Sequence, residues 1–248
     1  MSMSMPPSQP FDPSRPSIAS GGFGTNPTPG VGSTPPAKKS TSALLPQRIK
    51  PALITVGSLA ALMVVIQAVN WASSYRLNSW GIDSRSLSGL WGILTAPLIH
   101  GSWSHLFANL VPLVVLGILI TIGGVKQFAA VTALVWLVSG LGVWLIAPAN
   151  TVTIGASGLV FGWLTFLIAR GIFTRSWQHI VLGLVLLVLW GGIFWTGIVK
   201  VAAADLTGVV TVSWQAHLFG ALGGLLAAFL VGRVDGPRRS SSGPAINS

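Results

Sequence analysis

Six apolar runs punctuate the chain, at residues 52–69, 104–122, 128–146, 154–172, 180–199 and 212–231. Each is close to the ~20 residues that an α-helix needs to cross the hydrocarbon core of a bilayer. The pattern predicts six membrane-spanning helices in a domain covering residues 48–233. The second and third runs are separated only by Gly123-Gly124-Val125-Lys126-Gln127, a tight turn. The first connection, residues 70–103, is the long one. It holds Trp71, Tyr75, Trp80, Trp91 and Trp103, a set suited to a structured loop at headgroup level, where Trp and Tyr are favoured. Residues 1–47 are rich in Pro, Ser, Gly and Thr and contain almost nothing that could form a core. They and residues 234–248 are expected to be disordered tails.

Composition agrees with that reading. The chain of 248 residues is 51% hydrophobic and 7% charged, with a mean hydropathy of +0.74, whereas soluble domains are about 25% charged. A net charge of +10 would suggest nucleic acid in a soluble protein. Here the basic residues lie in loops and tails, so they set orientation, and no nucleic-acid partner is expected. With the N-terminus inside, eleven of the 14 Lys and Arg residues fall on the cytoplasmic side, leaving Arg76, Arg85 and Lys200 opposite. Both termini are therefore expected in the cytoplasm. The absence of cysteine excludes disulfides, thiolate metal sites and a cysteine nucleophile.

Under this topology the second, fourth and sixth spans all begin at the outer surface. His105 and Asn109 stand in the first two turns of the second, Ser157 at the start of the fourth, and His217 early in the sixth. All lie at one depth in the outer leaflet. Polar groups in hydrocarbon are costly unless they face the bundle interior or a wet cavity. Taken singly, each could be an interhelical hydrogen bond; together they point to a polar pocket. Ser157 needs a base to become a nucleophile, and His217 can be that base. His105, Asn109 and the Ser157 amide could hold a developing oxyanion. No Asp or Glu occurs in these spans, so the set would be a dyad. Ala216, Gly220 and Gly224 on one span, and Gly158 and Gly162 on another, repeat at the spacing that lets two backbones approach closely.

The residues His100-x4-His105-x3-Asn109, Gly155-x-Ser157-Gly158 and Ala216-His217-x2-Gly220-x3-Gly224 resemble the rhomboid intramembrane serine proteases, over about residues 89–231. The resemblance implies a six-helix rhomboid-like bundle, with Ser157 as nucleophile and His217 as base. It implies an oxyanion hole of His105, Asn109 and Ser157, with His100 near the outer mouth of the site and Phe161 stacked on His217. Gly155, Gly158, Gly220 and Gly224 would be supporting positions. It further implies a serine endopeptidase, a hydrolase that needs no cofactor or metal and cleaves membrane-anchored protein substrates in or beside their transmembrane segments, in a bacterial plasma membrane. The alternative is a non-catalytic relative that binds transmembrane helices. Two family features are missing: Trp91 is followed by Gly92, not Arg, and no glutamate ends the second span. Asp205 is expected to be a solvated loop acid. Oligomeric state is not readable from the sequence.

Overall fold

The structure, a computed structural model, describes residues 41–205 and 212–235. Five helices in it are long and apolar enough to cross a membrane: α1 (Thr41–Ala72), α2 (Trp103–Ile122), α3 (Val125–Ile146), α4 (Ser157–Thr174) and α6 (Trp214–Asp235). A sixth span is the bent pair formed by α5 (Trp177–Trp190) and the stretch Gly192–Asp205, which turn 52° against each other. The protein is an all-α, multi-pass integral membrane protein.

Most boundaries agree with the hydropathy pattern, and the departures have local causes. The first helix starts at Thr41, eleven residues before its apolar run; the expected N-terminal tail therefore ends in helix, and residues 1–40 lie outside the described residues, as do residues 236–248 of the C-terminal tail. The fourth span begins at Ser157 instead of 154. Val152–Thr153 is a short strand, β2, paired antiparallel with β1 (Ile82–Asp83). Gly155 then takes φ +116°, which only glycine adopts readily. In the fifth span, Gly191-Gly192 breaks the helix.

The fourth helix is the centre. In its apolar window 61% of residues are buried, against 22–39% for the other four unbroken spans. Trp163, Phe166, Leu159 and Leu164 on α4 are essentially inaccessible, and lipid-facing Leu and Val populate the outer surfaces of α1 and α5. Close packing comes from small residues. A Cβ at Gly220 would strike the Gly158 carbonyl oxygen, and one at Gly224 the Gly162 carbonyl oxygen. Helices α4 and α6 thus cross backbone to backbone, as the four-residue repeat predicts.

The long connection is structured. It runs through 3₁₀ turns at Arg76–Trp80, Ser88–Trp91 and Ala96–Leu98 and a short helix, Gly92–Thr95. Indole donors on α3 pin it: Trp136 Nε1 bonds the Ile93 carbonyl at 2.5 Å and Trp144 Nε1 the Ser86 carbonyl at 2.8 Å. Trp80 and Trp91 remain largely exposed, as residues resting in a headgroup region would be. Asn70, fully buried at the end of α1, fastens the loop's root. Its Nδ2 donates to Asn78 Oδ1 (2.9 Å) and to the His100 carbonyl (3.1 Å), and its Oδ1 accepts from the Leu77 amide (3.0 Å). Asn70→Ala would strand those buried groups, and an expected loss of ~2–4 kcal/mol follows from about 1–3 kcal/mol per unsatisfied group. Thermal denaturation in detergent checks this, and an unchanged midpoint would contradict it.

Candidate functional site

The site lies at the end of the bundle that carries the 73–102 connection. Ser157 occupies the first position of α4 and His217 the first turn of α6, since α6 starts at Trp214. Ser213 caps that helix, accepting from the Ala216 amide at 3.2 Å, which is the favoured use of a serine there. The glycine seam brings α4 and α6 together, and Ser139 Oγ on α3 donates to the Ala216 carbonyl at 2.9 Å. Ser157 Oγ then stands 2.9 Å from His217 Nε2.

The rest of the imidazole's surroundings decides its protonation pattern. His217 Nδ1 lies 2.7 Å from the Gly197 carbonyl oxygen. A carbonyl can only accept, so Nδ1 carries the proton and Nε2 presents its lone pair to the Ser157 hydroxyl. Phe161, one turn along α4 from Ser157, stacks on the imidazole with ring centroids 4.1 Å apart and planes 3° from parallel. Phe194 meets Phe161 edge-on at 5.6 Å. His217 is 4% exposed, stacked on one face by Phe161 and held at both nitrogens.

The residues expected around an oxyanion are present but differently employed. Asn109, 6% exposed, donates its Nδ2 to the His105 carbonyl at 2.9 Å, as a local bond four residues back along α2. The His105 ring packs against Gly155: a Cβ there would lie 2.7 Å from its Cε1. His105 and Ser157 line a cavity of about 440 Å³, together with Gly101, Thr153, Ile154 and Gln215. His100 is a correction to the sequence reading. It is not near the mouth but fully buried, beneath the 155–157 turn, where its Nε2 accepts from the Ala156 amide at 3.3 Å. Burial, reinforced by the neighbouring His105, pushes its pKa down to about 4, so it is neutral and acts as an acceptor that shapes the turn before Ser157. Asp205 also departs from expectation: instead of a merely solvated acid, it accepts from Trp214 Nε1 at 3.0 Å and lines the cavity. Gly155, Gly158, Gly220 and Gly224 are all positions where backbone or side-chain crowding excludes a Cβ.

Sequence reasoning missed Gly197, Phe194 and Ser139. No short motif marks them, because each reaches the site only through the crossing of separate helices. Among the described residues no three His, Cys, Asp or Glu side chains could hold a metal ion together.

Gly155→Ala is expected to destabilise the turn by ~1–3 kcal/mol through the positive φ alone, and to push the His105 ring out of the cavity wall. A thermal midpoint equal to wild type would contradict this.

Residues 87–234, more than half of the chain, match the rhomboid domain family. The chain belongs to the rhomboid family. Uncharacterized proteins of Mycobacterium tuberculosis and Mycobacterium leprae are 41% and 37% identical to it over 192 and 193 residues. These matches cover 75% of this chain, and 78% and 74% of the respective relatives. A rhomboid-like chloroplastic protein of Arabidopsis thaliana is 32% identical over 157 residues, covering 56% of this chain and 52% of that protein.

Membership does not bring the endopeptidase with it, and the expectation of a hydrolase is corrected on that point. The mycobacterial relatives carry no named activity. The chain also holds a second hydroxyl–imidazole contact, Thr174 Oγ1 to His179 Nδ1 at 3.4 Å, at the opposite end of α4, where it closes the turn into α5. A hydroxyl beside an imidazole is therefore not in itself proof of protease chemistry in this rhomboid bundle. Nor does Thr174 take the place of Ser157. The two lie 17 positions apart on a helix rising ~1.5 Å per residue, and the Gly155-Ala156-Ser157-Gly158 turn keeps its serine, 2.9 Å from His217.

Proposed function

We propose that this rhomboid-family protein binds a membrane-anchored segment of another protein at the cavity that opens above Ser157. The observation that carries the reading is a cavity of about 440 Å³ with a polar floor, His105 and Ser157, set at the end of a bundle whose outer faces are apolar. A straight transmembrane helix satisfies its own backbone, so it gains nothing from such a floor. A segment that unwinds near the membrane surface exposes backbone groups, and polar partners at that depth compensate them. By the distribution of basic residues the cavity faces the outer leaflet, with both termini in the cytoplasm, in a bacterial plasma membrane.

A specific observation adds to this reading. The Ser157–His217 contact, with the proton fixed on Nδ1, leaves the Nε2 lone pair facing the serine hydroxyl and polarises it. Ser157 and His217 are accordingly assigned as the reactive pair, with His105 and the Ser157 amide beside the position where negative charge would develop.

Photocrosslinking tests the binding claim. Benzoylphenylalanine at Val152, half-exposed on the cavity rim, is expected to capture a single-span peptide in proteoliposomes, saturably and also in a Ser157→Ala background. The same probe at Leu189, exposed on α5, is the comparison. Equal capture from both positions would overturn the assignment of the cavity as the binding site.

A further inference from the structure

Among the described residues His217 has no carboxylate partner. The chain has four acidic residues, all aspartates. Asp205 is held by the Trp214 indole. Asp83 lines a separate cavity beside Trp80 and Trp91. Asp235 ends α6, 18 residues or ~27 Å along the helix from His217, and Asp12 lies outside the described residues. The group at His217 Nδ1 is instead a main-chain oxygen from the fifth span.

That oxygen sits in an unusual piece of backbone. After the Gly191-Gly192 break, residues Trp195–Lys200 form a π-helical turn. Such turns are rare and widen the helix locally. A carbonyl in them has a second lone pair free for a lateral donor. Gly197 is in the middle of the turn, and its lack of a side chain is required. A Cβ there would lie 2.5 Å from Phe161 Cζ and 3.2 Å from His217 Nδ1. Gly192, in the same break, has nothing within 4 Å of a Cβ position, so crowding there does not explain both glycines.

We propose that the Gly197 carbonyl, presented by the π-turn of the bent fifth span, is the positioning group that orients His217 and fixes its tautomer. It takes the place a carboxylate would hold in a triad. The consequence is that the reactive pair is assembled from three spans: α4 supplies the hydroxyl, α6 the imidazole, and the bent span the acceptor behind it. Moving the π-turn away from α4 releases Nδ1, and the proton can then pass to Nε2, which silences the base. This inference rests on the assignment of Ser157 and His217 as the reactive pair, but its first test does not depend on reactivity.

The test is nitrogen NMR of protein labelled with [15N]histidine in lipid bilayers at neutral pH. The chain has four histidines, and His217→Ala identifies the signal by its disappearance. In the wild type the His217 ring is expected in the Nδ1–H form; a predominantly Nε2–H ring would overturn the proposal whatever else is measured. Gly197→Ala is expected to mix or reverse the tautomers and to slow fluorophosphonate labelling of Ser157 by tenfold or more, while Gly192→Ala matches wild type in both. A Gly197→Ala protein that is folded and keeps the wild-type tautomer would also overturn it. If the wild type shows the Nδ1–H ring yet never labels, the positioning role stands and the reactive-pair assignment fails.

Discussion

Gly220→Val is expected to disconnect Ser157 from His217 while leaving both residues in place. At Gly220 an added carbon would fall onto the Gly158 carbonyl, with the Gly158 Cα 3.1 Å away. These are backbone atoms at the start of a central helix, so no rotamer change can relieve the contact. The two helices must separate by a large fraction of an ångström or more. Overpacking of that kind costs ~1–3 kcal/mol, and a branched side chain should reach the upper end. A hydrogen bond of 2.9 Å does not survive such a separation, because the attraction falls steeply beyond ~3.2 Å. The expected result is a protein that still inserts and folds, with a lower thermal midpoint and no reactive serine. Gly57→Ala on α1, where nothing lies within 4 Å, should leave both properties unchanged. A Gly220→Val protein with wild-type reactivity would mean that the crossing does not set the pair.

The seam illustrates what was readable in the chain. Ala216, Gly220 and Gly224 at a four-residue spacing identify the crossing face from the sequence, because only small residues allow helix backbones to touch. Hydropathy placed the spans well for a similar reason: a bilayer imposes one length on all of them. The same logic failed where a local conformational choice overrode it. The apolar pattern starts the fourth span at residue 154, yet Gly155 at positive φ and the β1–β2 pairing hold the chain out of helix until Ser157. The fifth span has a continuous apolar run, and nothing in its hydropathy distinguishes a straight helix from one broken at Gly191-Gly192. His100 shows a further limit. Its spacing from His105 tied it to the site, but only the fold shows that it lies under the turn and accepts from Ala156. Gly197 was invisible because its role belongs to its carbonyl, and a carbonyl has no sequence signature.

Removing the imidazole is the second large effect. With His217 replaced by alanine, the Ser157 hydroxyl loses the base hydrogen-bonded to it, and Phe161 loses its stacking partner. A neutral serine hydroxyl is a poor nucleophile at neutral pH, and a positioned general base contributes ~10²–10⁴ in rate. The fold should tolerate the change, since His217 makes its contacts at one end of α6 while the glycine seam below it is untouched. His105→Ala is expected to be milder, because it leaves the Ser157–His217 bond in place and removes only a wall of the cavity.

Whether Ser157 is an activated hydroxyl is measured directly by fluorophosphonate labelling of the purified protein. In this reaction Ser157 Oγ forms a bond to phosphorus, fluoride leaves, and the proton passes to His217 Nε2. The expected result is a single phosphonylated site at Ser157 in the wild type, absent in Ser157→Ala and slowed at least ~10²-fold in His217→Ala, with all three proteins equally folded. A folded wild type that labels no faster than His217→Ala would contradict the reactive-pair assignment and leave a rhomboid bundle that binds membrane segments without a reactive serine.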